Sequence, residues 1–71
     1  NVSIGRFSTL SPGVHLAGFV EIEEKASLGI GACARQRVKV VRGSIVGGQS
    51  MLVEDVEPGR TVVGVPAKTI K

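Results

Sequence analysis

From Ile4 onward, one aliphatic residue recurs at every sixth position: Ile4, Leu10, Leu16, Ile22, Leu28, Ala34, Val40, Val46 and Leu52. Four residues after each comes a small or β-branched one: Ser8, Val14, Val20, Ala26, Ala32, Val38, Ser44, Ser50 and Val56. A period of six fits neither the 3.6 of a helix nor the simple alternation of a strand. It describes a chain that turns at fixed intervals and presents an equivalent residue inward each time. Such a chain folds as a solenoid.

Three hexads make one triangular coil, so the reading is all-β: a parallel β-helix of about three coils, 4–21, 22–39 and 40–57. Residues eighteen apart then stack. Ile4, Ile22 and Val40 form one inner column, Leu10, Leu28 and Val46 a second, and Leu16, Ala34 and Leu52 the third. Burying one such side chain contributes roughly 1.5–3 kcal/mol. With two Phe and neither Trp nor Tyr, the composition suits a narrow aliphatic lumen better than an aromatic-centred sandwich. Gly13, Gly31 and Gly43 hold the fourth place of their hexads, where a corner needs positive φ. Phe7, Lys25 and Arg37 hold that place elsewhere, so several corners form without glycine. After Val56 the pattern stops. Glu57-Pro58-Gly59 reads as a turn, Thr61-Val62-Val63 as a short strand, Gly64 to Ala67 as a second turn and Lys68 to Lys71 as a polar end. Residues 1–71 are read as one β-helical domain, the C-terminal fragment of a longer chain.

Charge and cysteine count narrow the function. The net charge of +3 favours a phosphorylated ligand, but the aromatic platforms of single-strand nucleic-acid binding are missing. Cys33 is the only cysteine, which excludes an internal disulfide and offers no metal cluster. No apolar run is long enough for a membrane span and no signal peptide is visible, so the expected location is cytoplasmic.

His15 is the only histidine and follows the Pro12-Gly13 corner, stacked with Cys33 and Met51. It is a candidate general base. The alternative is an outward histidine packed beside soft side chains, since no acidic residue lies close enough in sequence to orient the ring. Cys33 reads as a packed thiol rather than a nucleophile. Arg35, Arg37, Lys39 and Arg42 form a solvated cationic run from which one side chain could meet a phosphate, and Glu21, Glu23, Glu24 and Lys25 a self-neutralising corner. Gly29-Ile30-Gly31-Ala32 and Gly47-Gly48 stack one coil apart. They serve as tight corners, and a column without side chains also exposes backbone groups to an elongated, amide-bearing ligand such as pantetheine.

The hexads, closing with Val62-Val63-Gly64-Val65-Pro66-Ala67-Lys68, resemble the left-handed β-helix acyltransferases that use acyl-CoA. Ile4-Gly5-Arg6-Phe7-Ser8, Ser11-Pro12-Gly13, Leu16-Ala17-Gly18 and Leu28 to Cys33 are most similar to one branch. It holds sialic acid O-acetyltransferases and N-acetyltransferases of UDP-linked 4-amino sugars. The left hand is what the resemblance implies, against the general right-handed crossover rule. It also implies an acetyl-CoA co-substrate, a sugar or nucleotide-sugar acceptor and a homotrimer with the cofactor between subunits.

In that branch the base is a histidine at the position before the one matched by Asn1, so this fragment lacks its proton acceptor. A second family histidine is matched by Thr9. Gly18 matches the glycine whose N–H meets the thioester carbonyl. The cofactor-binding set implied is Thr9, Gly18, Gly29, Ile30, Gly31, Ala32, Gly47, Gly48, Pro66, Ala67 and Lys68, with no metal. Two other readings stand beside it: a non-catalytic trimeric β-helix scaffold, and a zinc-dependent hydratase, which the single histidine disfavours.

Overall fold

The computed structural model describes residues 2–71, and Asn1, with the reading attached to it, lies outside them. The chain is a left-handed parallel β-helix of about three coils. Its strands are short: β1 (Ser3–Ile4), β2 (Thr9–Leu10), β3 (His15–Leu16), β4 (Glu21–Ile22), β5 (Ser27–Leu28), β6 (Cys33–Ala34), β7 (Lys39–Val40), β8 (Ile45–Val46), β9 (Met51–Leu52), β10 (Thr61–Val63) and β11 (Lys68–Thr69). They build three faces. β1, β4 and β7 make the first, β2, β5, β8 and β10 the second, with β11 antiparallel on its end, and β3, β6 and β9 the third.

The register follows the sequence period. Ile4 pairs with Ile22 and Ile22 with Val40, Leu10 with Leu28 and Leu28 with Val46, Leu16 with Ala34 and Ala34 with Leu52. Side chains alternate along a strand, so the first and fifth hexad places point inward and the sixth outward. Ile22, Leu28, Val40, Val46 and Leu52 are therefore buried together with Val20, Ala26, Ala32 and Val38. The first coil is different: Ile4 is 52% and Leu10 37% exposed, because no coil covers them among the described residues. Leu28→Ala should accordingly cost about 2–5 kcal/mol in denaturant unfolding, and Leu10→Ala in the same column less than half as much. Equal losses would mean that the column is not the core.

Each corner repeats one device. The fourth-place residue takes positive φ whatever its type: Phe7, Gly13, Phe19, Lys25, Gly31, Arg37, Gly43 and Gln49. From Lys25 onward its N–H donates to the third-place carbonyl one coil back, as Lys25 to Arg6 (3.0 Å), Gly31 to Pro12 (3.0 Å) and Gln49 to Ile30 (2.7 Å). That bond explains how Lys, Arg and Gln are held where glycine is cheapest.

Three expectations change at the C-terminal end. Val56 pairs with Val40 and Val62 with Val46, so the third coil is sixteen residues long rather than eighteen. Two residues are missing from the corner after Leu52, and Asp55 fills the gap: its Oδ1 accepts the Lys39 N–H at 2.9 Å, a donor otherwise left without its carbonyl. Val56 is thus an inner-column residue and not a fifth-place one. The pattern also continues past it, since Gly59 takes φ +68 at a further corner and Val62 is buried. Ser44 ties this corner down, its Oγ lying 2.6 Å from the Val41 carbonyl and 2.8 Å from that of Glu57. Lys68 and Thr69, read as part of a polar end, form a strand against Val63 and Val62.

Candidate functional site

The glycine column runs along the corner between the second and third faces. Gly29 and Gly47 hold second places, and packing demands both. A Cβ on Gly29 would lie 2.7 Å from the Gly48 nitrogen, and one on Gly47 would lie 2.6 Å from Val63 Cγ1. Their N–H groups are spent on the coil ladder, donating to Val46 and Val62 at 2.8 Å each. Gly31 takes φ +71 and donates to Pro12.

What remains for a ligand sits at the third place. The N–H groups of Ile30 and Gly48 donate to no backbone carbonyl among the described residues. They lie one coil apart, a spacing of about 4.8 Å. Gly48 has no side chain to cover its donor, and Ile30 is exposed. Ala32 offers less than the sequence suggests. Its side chain is fully buried, its N–H donates to Gly29 and its carbonyl accepts from His15. Pro66, Ala67 and Lys68 close the third face at its C-terminal end, where the Ala67 N–H donates to the Met51 carbonyl at 2.9 Å. With Val53, Glu54 and Asp55 of the shortened corner, they line a cleft.

Gly18 sits at a different corner, between the third and first faces. Its N–H also has no backbone acceptor among the described residues, and its carbonyl accepts from Arg37 at 3.0 Å. Nothing lies within 4 Å of where its Cβ would be, so no neighbour crowds this corner on that side. Within one chain, Gly18 and the glycine column border opposite edges of the third face. Between them run His15, Cys33 and Met51 as register neighbours. His15 is exposed, and its imidazole has no hydrogen-bond partner among the described residues, so nothing orients it as a base. The Cys33 thiol points at the Gly31 carbonyl, 3.5 Å away, and is half-buried. Thr9 lies on the second face beside Ser27, one face away from Gly18. Among the described residues no three His, Cys, Asp or Glu side chains gather as metal ligands would. No helix of the described residues is long and apolar enough to cross a membrane.

The sequence reading passed over Phe19. It follows Gly18, holds a fourth place at φ +63 and is 55% exposed. Counting on by six from Phe7 finds it.

No protein-family profile matches the chain. It is 39% identical over 70 residues to 2,3,4,5-tetrahydropyridine-2,6-dicarboxylate N-acetyltransferase of Clostridium perfringens, a match that covers 87% of this chain and 30% of that protein. The chain thus spans about a third of the length of the curated relatives it matches. PerB from Caulobacter crescentus, solved with CoA and GDP-perosamine, superposes with a TM-score of 0.97 at 34% identity, over 99% of this chain and 34% of that one. The acetyltransferase domain of PglB from Neisseria gonorrhoeae, solved with acetyl coenzyme A, superposes with a TM-score of 0.88 at 42% identity, over 90% of this chain and 31% of that one.

Proposed function

We propose that this chain, whose fold and sequence are those of hexapeptide-repeat left-handed β-helix acetyltransferases, is the acetyl-CoA-binding part of an N-acetyltransferase. The acceptor in this reading is the amine of a sugar or nucleotide sugar. One observation carries it. The free N–H groups of Ile30 and Gly48 form a side-chain-poor track, in a chain similar along nearly its whole length to a protein solved with CoA. A pantetheine arm carries amide carbonyls that such donors match.

The step is direct transfer. The acceptor nitrogen attacks the thioester carbonyl carbon, the C–S bond breaks, and CoA leaves as thiolate. The Gly18 N–H donates to the oxyanion of the tetrahedral intermediate, a contribution of roughly 2.7–4 kcal/mol. The resemblance puts the base that takes the acceptor proton one coil before Gly18, at the same corner and outside the described residues. Stacked so, base and oxyanion donor would sit about 4.8 Å apart along the axis.

A trimer fits this arrangement. Ile45 and Val63 leave apolar surface on the second face, 51% and 38% exposed, next to the glycine column. A neighbouring copy packed there covers it and puts its own corner against the cofactor track. A cytoplasmic location agrees with a cofactor held in that compartment.

Calorimetry with acetyl-CoA tests the reading, and saturable binding is expected. Gly48→Gln should weaken it at least about tenfold, equivalent to about 1.4 kcal/mol. Third places elsewhere carry side chains, as Arg6, Glu24, Ile30 and Gln36 show, but a Cβ at Gly48 would lie 3.2 Å from the Ile30 carbonyl oxygen, so thermal unfolding of the variant is read beside the titration to separate lost binding from lost fold. Absent binding at millimolar acetyl-CoA would leave the scaffold reading.

A further inference from the structure

The chain has one histidine, one cysteine and one methionine, and the fold puts all three in a row. His15 pairs with Cys33, and Cys33 with Met51, in parallel register along β3, β6 and β9. All three hold sixth places. Their side chains therefore leave the third face on its outer side, while Leu16, Ala34 and Leu52 face the lumen behind them. Adjacent coils are about 4.8 Å apart, so Cys33 has an imidazole on one side and a thioether on the other, both on side chains long enough to lean toward it. The same row reads Ser3, Glu21 and Lys39 on the first face and Thr9, Ser27 and Ile45 on the second. The coil is thus built elsewhere without sulfur or imidazole at these places.

Cysteine and methionine ordinarily belong to interiors, yet here both are only half-buried, on an outward row. The Cys33 thiol makes one weak contact, to the Gly31 carbonyl on its own coil at 3.5 Å, which a ligand to the sulfur replaces at little cost. An imidazole, a thiol that can ionise and a thioether are the donors of a soft ion, Cu(I) above all. Because the third donor is a thioether, the set differs from the His, Cys, Asp and Glu clusters that hold harder ions, none of which occurs among the described residues. Charge points the same way. Cu(I) on one thiolate is neutral, whereas a divalent ion would keep a positive charge near Arg35, two residues from Cys33. No carboxylate stands on β3, β6 or β9 to offset it. Zinc also takes four ligands in a closed site, and the row supplies three.

We propose that the third face carries a Cu(I) site, with the Cys33 thiolate as central ligand and the His15 imidazole and Met51 thioether closing on the ion from the coils on either side. The Cys33 thiol gives its proton to solvent as its sulfur takes the ion, and no electron changes hands. The site stands apart from the transferase reading and needs neither acetyl-CoA nor an acceptor.

The probe is Cu(I) itself, kept reduced with ascorbate under argon and supplied as its complex with the chromophoric chelator bicinchoninate. The protein should withdraw one Cu(I) per chain, with growth of a thiolate-to-copper charge-transfer band in the ultraviolet. Cys33→Ser should abolish both. His15→Ala and Met51→Leu keep the thiol and should each lower the affinity at least about tenfold without changing the stoichiometry. Excess zinc should displace none of the bound Cu(I). Thermal unfolding of the metal-free variants separates a lost site from a lost fold. Should Cys33→Ser fail to fold, His15→Ala decides, since His15 is exposed and outside the core. The site is overturned if the wild-type protein withdraws no Cu(I), or if it binds one ion between two chains. It is equally overturned if the chain carrying both His15→Ala and Met51→Leu binds as tightly as wild type, which would leave only a reactive thiol.

Discussion

Replacing Gly18 with proline should lower kcat by about 10²–10³-fold while fold stability and affinity for CoA stay close to wild type. Proline removes the one group assigned to the reaction, the N–H, and adds a ring where nothing lies within 4 Å of the Cβ position. The chain itself shows that third places accept it: Pro12 holds that place one hexad earlier, and Pro58 holds it in the final hexad. Ala17, which would precede the new proline, makes the same ladder bond as Ser11 before Pro12, donating to Ala34 at 3.0 Å as Ser11 donates to Leu28 at 3.1 Å. The Gly18 N–H has no backbone partner among the described residues, so no ladder bond is broken. CoA lacks the thioester carbonyl, so its affinity separates cofactor binding from oxyanion stabilisation. Thiol release under saturating acetyl-CoA and acceptor, measured in a protein that carries the base one coil before Gly18, reads kcat, and thermal unfolding reads the fold. A kcat within threefold of wild type would remove Gly18 from the mechanism. A lost thermal transition would mean that the third-place equivalence with Pro12 fails.

The coil architecture was legible in the sequence because a solenoid writes its geometry as a period. Each inner column repeats one physical demand, an aliphatic side chain in a narrow lumen, and nine repetitions from Ile4 to Leu52 leave little room for another periodicity. Departures from the period were harder to read. The loss of two residues after Leu52 is invisible by counting, because Val56 fits both a fifth place in the old register and a first place in the new one. The Lys39–Asp55 hydrogen bond and the pairings of Val40 with Val56 and Val46 with Val62 decide between them. The strand at Lys68–Thr69 was missed for a similar reason. It pairs antiparallel, outside the hexad rule, and carries no inward aliphatic residue of its own.

The candidate site was legible only in part. Glycine columns announce close backbone approach, but they do not say which amides are left over. That depends on the hydrogen-bond pattern of the coil, which spends the second-place N–H groups and frees the third-place ones. Ala32 illustrates the limit, since it lies inside a glycine-rich run and yet faces the lumen. The division of Gly18 and the glycine column between two corners is implied by their different positions around the coil, twelve residues from Gly18 to Ile30 being two hexads and not a full coil.

Of Gly18, Gly29 and Gly47, the largest loss of stability should come from Gly29→Ala, with a fall of about 10–20 °C in melting temperature. A Cβ there would sit 2.7 Å from the Gly48 nitrogen, 3.0 Å from Gly48 Cα and 3.1 Å from the Gly47 carbonyl carbon. All three are backbone atoms of the next coil and none can rotate away. Relief requires the coils to separate, which stretches the bonds from Gly29 to Val46 (2.8 Å) and from Gln49 to Ile30 (2.7 Å). Overpacking of this kind costs about 1–3 kcal/mol or more, and each kcal/mol moves the midpoint by roughly 4–8 °C in a domain of this size. Gly47→Ala makes an equally short contact, 2.6 Å, but with Val63 Cγ1, a side-chain atom that a χ1 change can move, so its loss should be smaller. Gly18→Ala meets nothing and should stay within about 0.5 kcal/mol of wild type. Because the free amides of Ile30 and Gly48 flank the Gly29 contact, Gly29→Ala should also weaken acetyl-CoA binding at temperatures where it remains folded. Thermal unfolding of the three variants gives the order directly. A melting temperature for Gly29→Ala at or above that of Gly18→Ala would show that the coils are not packed backbone to backbone at this corner.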